Sequence, residues 1–266
     1  MDAEPQVIME VERVRQQFGG VIALDDVSFS VCTGQVLAII GPNGAGKTTL
    51  LNIIAGTLEP TAGQVLFRGQ RLSGRPPYAR VRLGIARTFQ QALVFQNMTV
   101  LENVMVGCHI RGQGELWHAA LRLPRVRREE EDLTLDALRF LNLVWLGSKA
   151  DQDAAALPFG QQRLLAIARA LATSPSILLL DEPAAGLNRL EKNDLAELIQ
   201  RIHATSADPL GLRPTTILVE HDMELVMRVA DWVVVLDHGK RLAQGRAEEV
   251  RRNPVVIEAY LGVEEG

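Results

Sequence analysis

Cysteine is scarce in this chain. The 266 residues include two cysteines, Cys32 and Cys108, which can form at most one disulfide bridge and lack the spacing of a metal-binding motif. We therefore expect buried thiols in a reducing compartment, without a disulfide framework or a structural zinc site.

Long apolar runs are missing as well. The longest extend over about five residues, for example Trp232 to Leu236, whereas a membrane-spanning helix needs roughly twenty. The first residues, Met1 to Pro5, contain neither a basic region nor an apolar stretch. We therefore expect a chain that does not cross a membrane and has no secretory signal.

An excess of positive charge is also absent, since the formal net charge is −4. Surfaces that bind nucleic acid need clustered Lys and Arg. The basic run Arg125 to Arg128 is followed at once by the acidic run Glu129 to Asp132, which is typical of a solvated helix face. The composition therefore argues against a nucleic-acid partner.

Strand patterns occupy the first and last parts of the chain. Short runs rich in β-branched residues and bounded by turn residues predict strands. These runs are Val7 to Val14, Ala23 to Val31, Gln35 to Ile40, Gly63 to Phe67, a segment around Arg87 to Phe89, Ser176 to Asp181, Thr215 to Glu220, and Trp232 to Asp237. Because the later strands alternate with helical patterns, we expect an α/β fold with a mainly parallel sheet.

A long helical and charged segment interrupts these strands. It extends from about Asn97 to Pro158, includes the helical pattern Val126 to Leu143, and contains no clear strand. We expect a discontinuous core, residues 1–90 and 165–266, with residues 91–164 inserted as a helical lobe.

A glycine-rich loop follows the strand Gln35 to Ile40 and precedes a predicted helix, Thr48 to Ala55, that Gly56 ends. The loop matches the P-loop pattern in the strand–loop–helix context that this pattern requires. Its backbone N–H groups and the positive helix end bind phosphates, Lys47 reaches the β- and γ-phosphates, and the Thr48 hydroxyl binds Mg²⁺. The predicted ATP-binding residues are Gly41, Pro42, Asn43, Gly44, Ala45, Gly46, Lys47, Thr48 and Thr49.

Two adjacent carboxylates follow the apolar run Ile177 to Leu180. The carboxyl end of a strand is where open α/β sheets place ligands. Asp181 is the expected Mg²⁺ residue, through a water molecule, and Glu182 is the expected general base that orients the attacking water. These two motifs leave many P-loop families open.

A third motif, Leu157-Pro158-Phe159-Gly160-Gln161, precedes a predicted helix, Leu164 to Thr173. It resembles the Leu-Ser-Gly-Gly-Gln signature of ABC ATPases, from which Pro158 and Phe159 depart. The resemblance implies a sandwich of two ATPase subunits in which each signature loop closes over the ATP held by the other subunit. Pro158 offers neither a hydroxyl nor an N–H, whereas Gly160 and the helix dipole can still bind an anion.

Other landmarks of the ABC family follow in order. The resemblance implies that Phe18 stacks on adenine, that Gln90 contacts Mg²⁺ or water, and that His221 contacts the γ-phosphate. It implies a loop at the subunit interface formed by Ala185, Gly186, Leu187 and Asn188, with Asn188 where Asp is more common. The expected fold is a P-loop NTPase core with a mainly parallel sheet and an N-terminal antiparallel β part, plus the inserted helical lobe.

Several segments resemble one branch of this family, the ATP-binding subunits of branched-chain amino acid importers, in which a Pro-aromatic signature is usual. They are Phe18 to Gly20, Gly84 to Gln90, Met98 to Val104, the charged insert to about Asp151, Gly160 to Arg163, Asp181 to Asn188, and Val256 to Gly262. The resemblance implies ATP hydrolysis at the cytoplasmic face of the membrane. It implies as partners permease subunits, an identical or related ATPase subunit and, indirectly, an extracytoplasmic solute-binding protein.

Two other functions stay open. An exporter ATPase for lipids or polysaccharides differs only in its membrane partner. A soluble ABC ATPase of DNA repair or translation normally carries a coiled-coil insert, zinc cysteines or two fused halves, none of which the sequence shows. The stretch Gln90 to Met98 is a candidate socket for a permease helix, although core packing explains its Leu93, Val94 and Phe95 equally well.

Overall fold

The computed structural model describes residues 6–88, 94–110, 124–204 and 213–261. The strands are β1 (Val7–Phe18), β2 (Val21–Cys32), β3 (Val36–Ile40), β4 (Ala62–Phe67), β5 (Gln70–Arg71), β6 (Ile85–Arg87), β7 (Ile177–Asp181), β8 (Thr215–Val219), β9 (Trp232–Asp237) and β10 (Lys240–Arg246). The helices are α1 (Lys47–Ala55), α2 (Pro77–Arg82), α3 (Val100–His109), α4 (Pro124–Leu143), α5 (Phe159–Leu171), α6 (Arg189–His203), α7 (Met223–Val229), α8 (Ala247–Arg251) and α9 (Pro254–Leu261).

An antiparallel sheet is built from the N-terminal strands in the order β2-β1-β4-β5. Apolar and polar residues alternate along β1 and β2, so one face of this sheet is buried. Its buried side chains join one apolar cluster with α1 and with one face of the second sheet. The expected antiparallel part is therefore present and packs against the phosphate-loop helix.

The second sheet has the strand order β10-β9-β3-β8-β7-β6. Its strands pair in parallel, except that β10 runs antiparallel to β9 at one edge. Every residue of β3, β7 and β8 is buried, as continuous apolar runs predict for strands covered on both faces. Because β3, β8 and β7 are direct neighbours, the segments that follow them meet at one edge of the sheet.

Helix α1 lies between two glycines, and a buried arginine stabilises its last turn. It begins after Gly46 and ends at Gly56, whose φ of 83° is left-handed, as the sequence predicted. The guanidinium of the buried Arg80 donates to the carbonyl oxygens of Ile54 at 2.9 Å and Leu72 at 3.0 Å. Arg80 therefore caps the last turn of α1 and anchors the helix that carries the P-loop.

The helical part packs around α5. Residues of α3, α4 and α5 share an apolar cluster that also includes Leu178 and Leu180 of β7. Helix α5 begins at Phe159, whereas the sequence predicted a start at Leu164. The prediction was wrong because Phe159 and Gly160 are poor helix formers, so the signature residues themselves form the first turn.

Three smaller expectations need correction. Cys108 is buried as expected, but Cys32 is partly exposed. Strand β6 ends at Arg87, before the predicted end. Strand β10 was missed because it is polar and partly exposed, as suits an edge strand.

Among the described residues, no helix is long and apolar enough to cross a membrane.

Candidate active site

The P-loop connects β3 to α1 and encloses the side chain of Lys47. Lys47 is 6% exposed, and its Nζ donates to the carbonyl oxygens of Gly41 at 2.7 Å and Pro42 at 2.9 Å. Burial lowers the pKa of Lys47, while the negative charges of Glu182 and Glu220 raise it. The ammonium group therefore lies in the loop close to two carboxylates.

Two glycines allow the P-loop to approach the backbone of neighbouring strands. Gly41 has a φ of 150°, and a Cβ there would lie 2.1 Å from the carbonyl oxygen of Leu236. Gly46 has a φ of 97°, and its Cβ would lie 2.5 Å from the carbonyl oxygen of Ala23. Larger residues do not fit at these positions, so β2 and β9 fix the course of the loop.

Asp181 ends β7 as a buried carboxylate that Arg87 binds on one side. Arg87 Nη2 donates to Asp181 Oδ2 at 2.8 Å, and Arg87 Nη1 donates to Oδ1 of Asn52 on α1 at 2.8 Å. No described residue donates to the buried Asp181 Oδ1. A buried acceptor of this kind suits a cation or its hydration water, and Thr48 is exposed in the first turn of α1.

Glu182 follows in a strained backbone conformation. Its φ of 44° is left-handed, and its N–H donates to the carbonyl oxygen of Val219 at 2.9 Å. This bond joins the ends of β7 and β8. His221 follows β8 by two residues and is more than half exposed, so Glu182 and His221 lie at the same edge of the sheet as the P-loop.

The signature loop packs against the interface loop of the same chain. Pro158 is the N-cap of α5. A Cβ at Gly160 would lie 2.3 Å from Glu191 Oε1, and one at Gly186 would lie 3.2 Å from the Phe159 ring. The structure thus brings the signature residues next to Gly186 of the predicted interface loop and next to Glu191 of α6, and the left-handed φ of 77° at Gly186 favours glycine there.

The remaining signature residues have local roles. Leu157 is buried, and its carbonyl oxygen accepts from Gln162 Nε2 at 2.9 Å. Gln161 Oε1 accepts from Lys149 Nζ at 2.7 Å. These contacts hold the loop before α5 against the preceding segment.

Asn188 has a second role that the resemblance did not reveal. It is the N-cap of α6, where its Oδ1 accepts from the N–H groups of Leu190 at 2.9 Å and Glu191 at 3.1 Å. The Glu191 side chain in turn accepts from the Asn188 N–H at 2.9 Å. The spacing Asn-x-x-Glu is a sequence signal for this capping box.

Two predicted residues are not joined to the site by described contacts. Phe18 is 49% exposed at the end of β1 and pairs with Val21 of β2. The same hairpin contacts the P-loop through Ala23. Gln90 lies outside the described residues.

Sequence reasoning missed three charged residues around the site: Arg87, Arg163 and Glu220. Glu220 is completely buried, and burial raises its pKa, against which hydrogen bonds from backbone N–H groups act. Buried charged side chains are rare without partners. In the sequence, the only signal for these three residues was that each lies next to or within a predicted site motif.

A phosphate-binding loop after β3, two adjacent carboxylates at the end of β7 and a histidine after β8 define a P-loop nucleoside triphosphatase. The helical part adds a glycine loop at a helix start, which is the arrangement of an ATP-binding cassette. The sequence pattern of the ABC transporter family matches residues 24–185, and that of the branched-chain amino acid ATP-binding cassette transporters matches residues 240–266.

Individual relatives agree with this class. The high-affinity branched-chain amino acid transport ATP-binding protein LivG of Escherichia coli K12 is 40% identical over 260 residues, covering 97% of this chain and 98% of LivG. The ADP conformation of MJ1267, an ATP-binding cassette of an ABC transporter, superposes with a TM-score of 0.80 at 33% identity, covering 97% of this chain and 99% of MJ1267. The dimeric cassette MJ0796 has a TM-score of 0.75 at 25% identity, covering 90% and 99%.

This chain belongs to the ABC transporter family, in the branch of the branched-chain amino acid transport ATP-binding proteins. The expected fold and family are confirmed, and the exporter and soluble alternatives are not favoured.

Proposed function

We propose that this chain hydrolyses Mg-ATP as one of two ATPase subunits of an importer for branched-chain or other hydrophobic amino acids. The observation that carries the proposal is the meeting of the P-loop, Glu182 and His221 after three neighbouring strands. The similarity to LivG over nearly the whole of both chains supports the amino acid class.

ATP binding follows from the loop geometry. The backbone N–H groups of residues 43–49 and the start of α1 face the phosphates, and Phe18 offers an exposed ring for adenine. Lys47 exchanges its bonds to loop carbonyl oxygens for bonds to the β- and γ-phosphates.

A magnesium ion fits the oxygen groups of the site. Thr48 and Asp181 are the described residues that would hold it, Asp181 through water, and Gln90 is the third predicted contact. The ion supplies neutralisation of phosphate charge. The unpartnered Asp181 Oδ1 supports this assignment.

Hydrolysis depends on the groups after β7 and β8. Glu182 orients a water molecule and accepts its proton as the water oxygen attacks the γ-phosphorus and the bond to the β–γ bridging oxygen breaks. His221 contacts the γ-phosphate, and Lys47 stabilises the charge that develops on it.

The second subunit completes the site. Residues 157–161 close over the ATP of the other subunit, while Ala185, Gly186, Leu187 and Asn188 lie at the interface. The half-exposed Phe159 and the exposed start of α6 leave this surface open in the single chain, and a dimeric cassette is known among the related folds. The second subunit is a copy of this chain or a related one.

The permease contacts the docking segment, residues 94–98. Val94 packs against the apolar cluster of the helical part, whereas Phe95 is 46% exposed and its ring lies 4.8 Å from the Arg169 guanidinium. Leu93 lies outside the described residues. Its exposure supports Phe95 as the apolar group offered to a permease helix. In this proposal the chain lies peripherally at the cytoplasmic face of the membrane. A solute-binding protein acts on it only through the permease.

The division into a core, residues 1–90 and 165–266, and an inserted lobe, residues 91–164, belongs to the same proposal. The P-loop belongs to the core and the signature loop to the lobe, so a rotation of the lobe on ATP binding moves one loop relative to the other.

The proposal is tested by ATP hydrolysis and ATP-dependent dimerisation of the purified chain, alone and co-expressed with a related subunit. We expect hydrolysis to stop and an ATP-bound dimer to accumulate when both ATPase subunits carry the change, that is, Glu182→Gln in this chain and the corresponding Gln in a related subunit. Glu197→Gln, an exposed change on α6, is the matched control and should behave as wild type. Hydrolysis that survives when both subunits carry the change would refute the assigned role of Glu182.

A further inference from the structure

Phe159 and Arg163 form a pair in the first turn of α5. They are four residues apart, so their side chains project from the same face of the helix. The Arg163 guanidinium carbon lies 4.9 Å from the centroid of the Phe159 ring, within the range of a cation–π contact. Because Phe159 is 49% exposed and Arg163 is 7% exposed, the pair links the surface of the signature loop to the interior.

The other side of Arg163 faces the loop that carries Glu182. Its Nη1 donates to the carbonyl oxygen of Glu182 at 3.1 Å. The Glu182 backbone is left-handed and is held on its N–H side by Val219. Arg163 therefore helps to fix a strained backbone whose side chain we assign to hydrolysis.

Glu220 extends this contact to two further segments. Its carboxylate accepts from the N–H groups of Ala184 at 2.7 Å and His221 at 3.1 Å. Burial lowers the pKa of Arg163, while the charges of Glu220 and Glu182 raise it. The guanidinium is thus within electrostatic reach of both carboxylates, and its Nη1 donates to the Glu182 carbonyl oxygen.

We infer that Arg163 is a positioning residue that makes hydrolysis at this chain's own ATP site depend on the position of its signature loop. The inference rests on the proposed sandwich, in which the signature loop contacts the ATP of the other subunit while Glu182 acts on the ATP of its own subunit. A shift of Phe159 moves Arg163, and Arg163 moves the Glu182 carbonyl group to which it donates. Each site thereby responds to occupancy of the other.

The experiment uses assembled transporters in which only one ATP site hydrolyses. In the first assembly, the second ATPase subunit carries a Gln in place of its catalytic glutamate, so only Glu182 of this chain is active. In the second assembly, this chain carries Glu182→Gln, so only the site closed by its signature loop is active. Arg163→Gln is then introduced into this chain in both assemblies, and single-turnover hydrolysis is measured.

We expect Arg163→Gln to slow hydrolysis about tenfold in the first assembly, with the KM for ATP changed less than about twofold, because misplacement acts on the chemical step. Hydrolysis in the second assembly should slow less than about threefold. Equal slowing in both assemblies, slowing confined to the second, or no slowing would overturn the inference. If the assembly with both catalytic glutamates and Arg163 intact does not hydrolyse ATP, the proposed function fails instead.

Phe159 variants test the exposed end of the pair without removing a buried charge. Phe159→Leu should slow ATP hydrolysis in the first assembly by about threefold or more, although Phe159 does not contact the ATP that is hydrolysed there. Phe159→Tyr should keep the wild-type rate because it retains the aromatic ring. Arg139→Gln, which changes an exposed ion pair on α4, is the matched control. An unchanged rate in Phe159→Leu would show that the signature loop does not act through Arg163.

Discussion

Gly44 and Gly46 lie in the same loop but have different surroundings. Both have left-handed backbones, with φ of 81° and 97°, yet a Cβ at Gly44 would meet nothing within 4 Å, whereas one at Gly46 would clash with Ala23. Without nucleotide, we expect Gly44→Ala to lower the free energy of unfolding by about 1–2 kcal/mol through its φ alone. Gly46→Ala should lower it by about 2–5 kcal/mol, because overpacking adds to that strain. Equal losses in urea unfolding would contradict this explanation.

His203 makes the fold sensitive to mild acid. Its Nε2 lies 3.0 Å from Thr216 Oγ1, and burial lowers its pKa below the ordinary value of 6.5, partly offset by the polar backbone of Gly34 nearby. Below pH 6.5 the unfolded chain therefore binds more protons than the folded chain at this residue. Stability is retained above pH 6.5 and is lost as the pH falls towards the folded pKa, by at most about 1.4 kcal/mol per pH unit.

Urea unfolding at pH 7.5 and pH 5.5 measures this loss. His203→Gln should lose less stability between the two pH values than the wild type does. His109→Gln, at an exposed position, should keep the full loss. The same pH dependence in all three proteins would show that His203 is not responsible.

The sequence predicted residues whose chemistry belongs to a continuous motif, such as residues 41–49 and the pair Asp181 and Glu182. It did not predict the roles of Arg163 and Glu220. Their partners come from segments far apart in the chain: Arg163 donates to the Glu182 carbonyl oxygen, and Glu220 accepts from the Ala184 N–H. These contacts form only in the folded chain.

At the scale of elements, two substitutions of Asn188 at the start of α6 measure its structural role as an N-cap, apart from its proposed role at the subunit interface. Asn188→Asp keeps a side-chain acceptor at the N-cap, so the free energy of unfolding should stay within about 0.5 kcal/mol of wild type. Asn188→Ala removes the acceptor and should lower it by about 1 kcal/mol. A similar loss in both variants, measured in urea without ATP, would show that the amide itself is needed.

The buried strands were the easiest elements to predict. Strands β3, β7 and β8 are unbroken apolar runs that end at motif residues, so pattern and burial agree. The start of helix α5 was predicted too late for two reasons. Phe159 and Gly160 are poor helix formers, and Pro158 at the N-cap provides no capping hydroxyl. Strand β10 is stabilised by pairing with β9, which a polar segment does not reveal by itself.

At the scale of the whole molecule, the buried contacts of Asn103 connect the docking segment to α5. Asn103 Nδ2 donates to the carbonyl oxygen of Phe95 at 3.1 Å, and its Oδ1 accepts from the Phe95 N–H at 2.9 Å and from Arg169 Nη1 at 3.3 Å. Since α5 begins with the predicted signature residues, we expect a displacement of Phe95 to reach this helix through Asn103 and Arg169.

Phe95→Ser should therefore separate transport from hydrolysis. We expect the purified ATPase subunits to hydrolyse ATP at the wild-type rate, because Phe95 does not touch the nucleotide site. Assembly with the permease and uptake of leucine into vesicles should fall sharply, since truncation of an aromatic anchor in an interface typically costs about 2 kcal/mol or more. Tyr78→Ser, at another exposed aromatic on α2, controls for the loss of a surface ring and should retain uptake. Undiminished uptake in Phe95→Ser would place the permease contact outside residues 94–98, whereas lost hydrolysis in the purified subunits would show that Phe95 supports the ATPase itself.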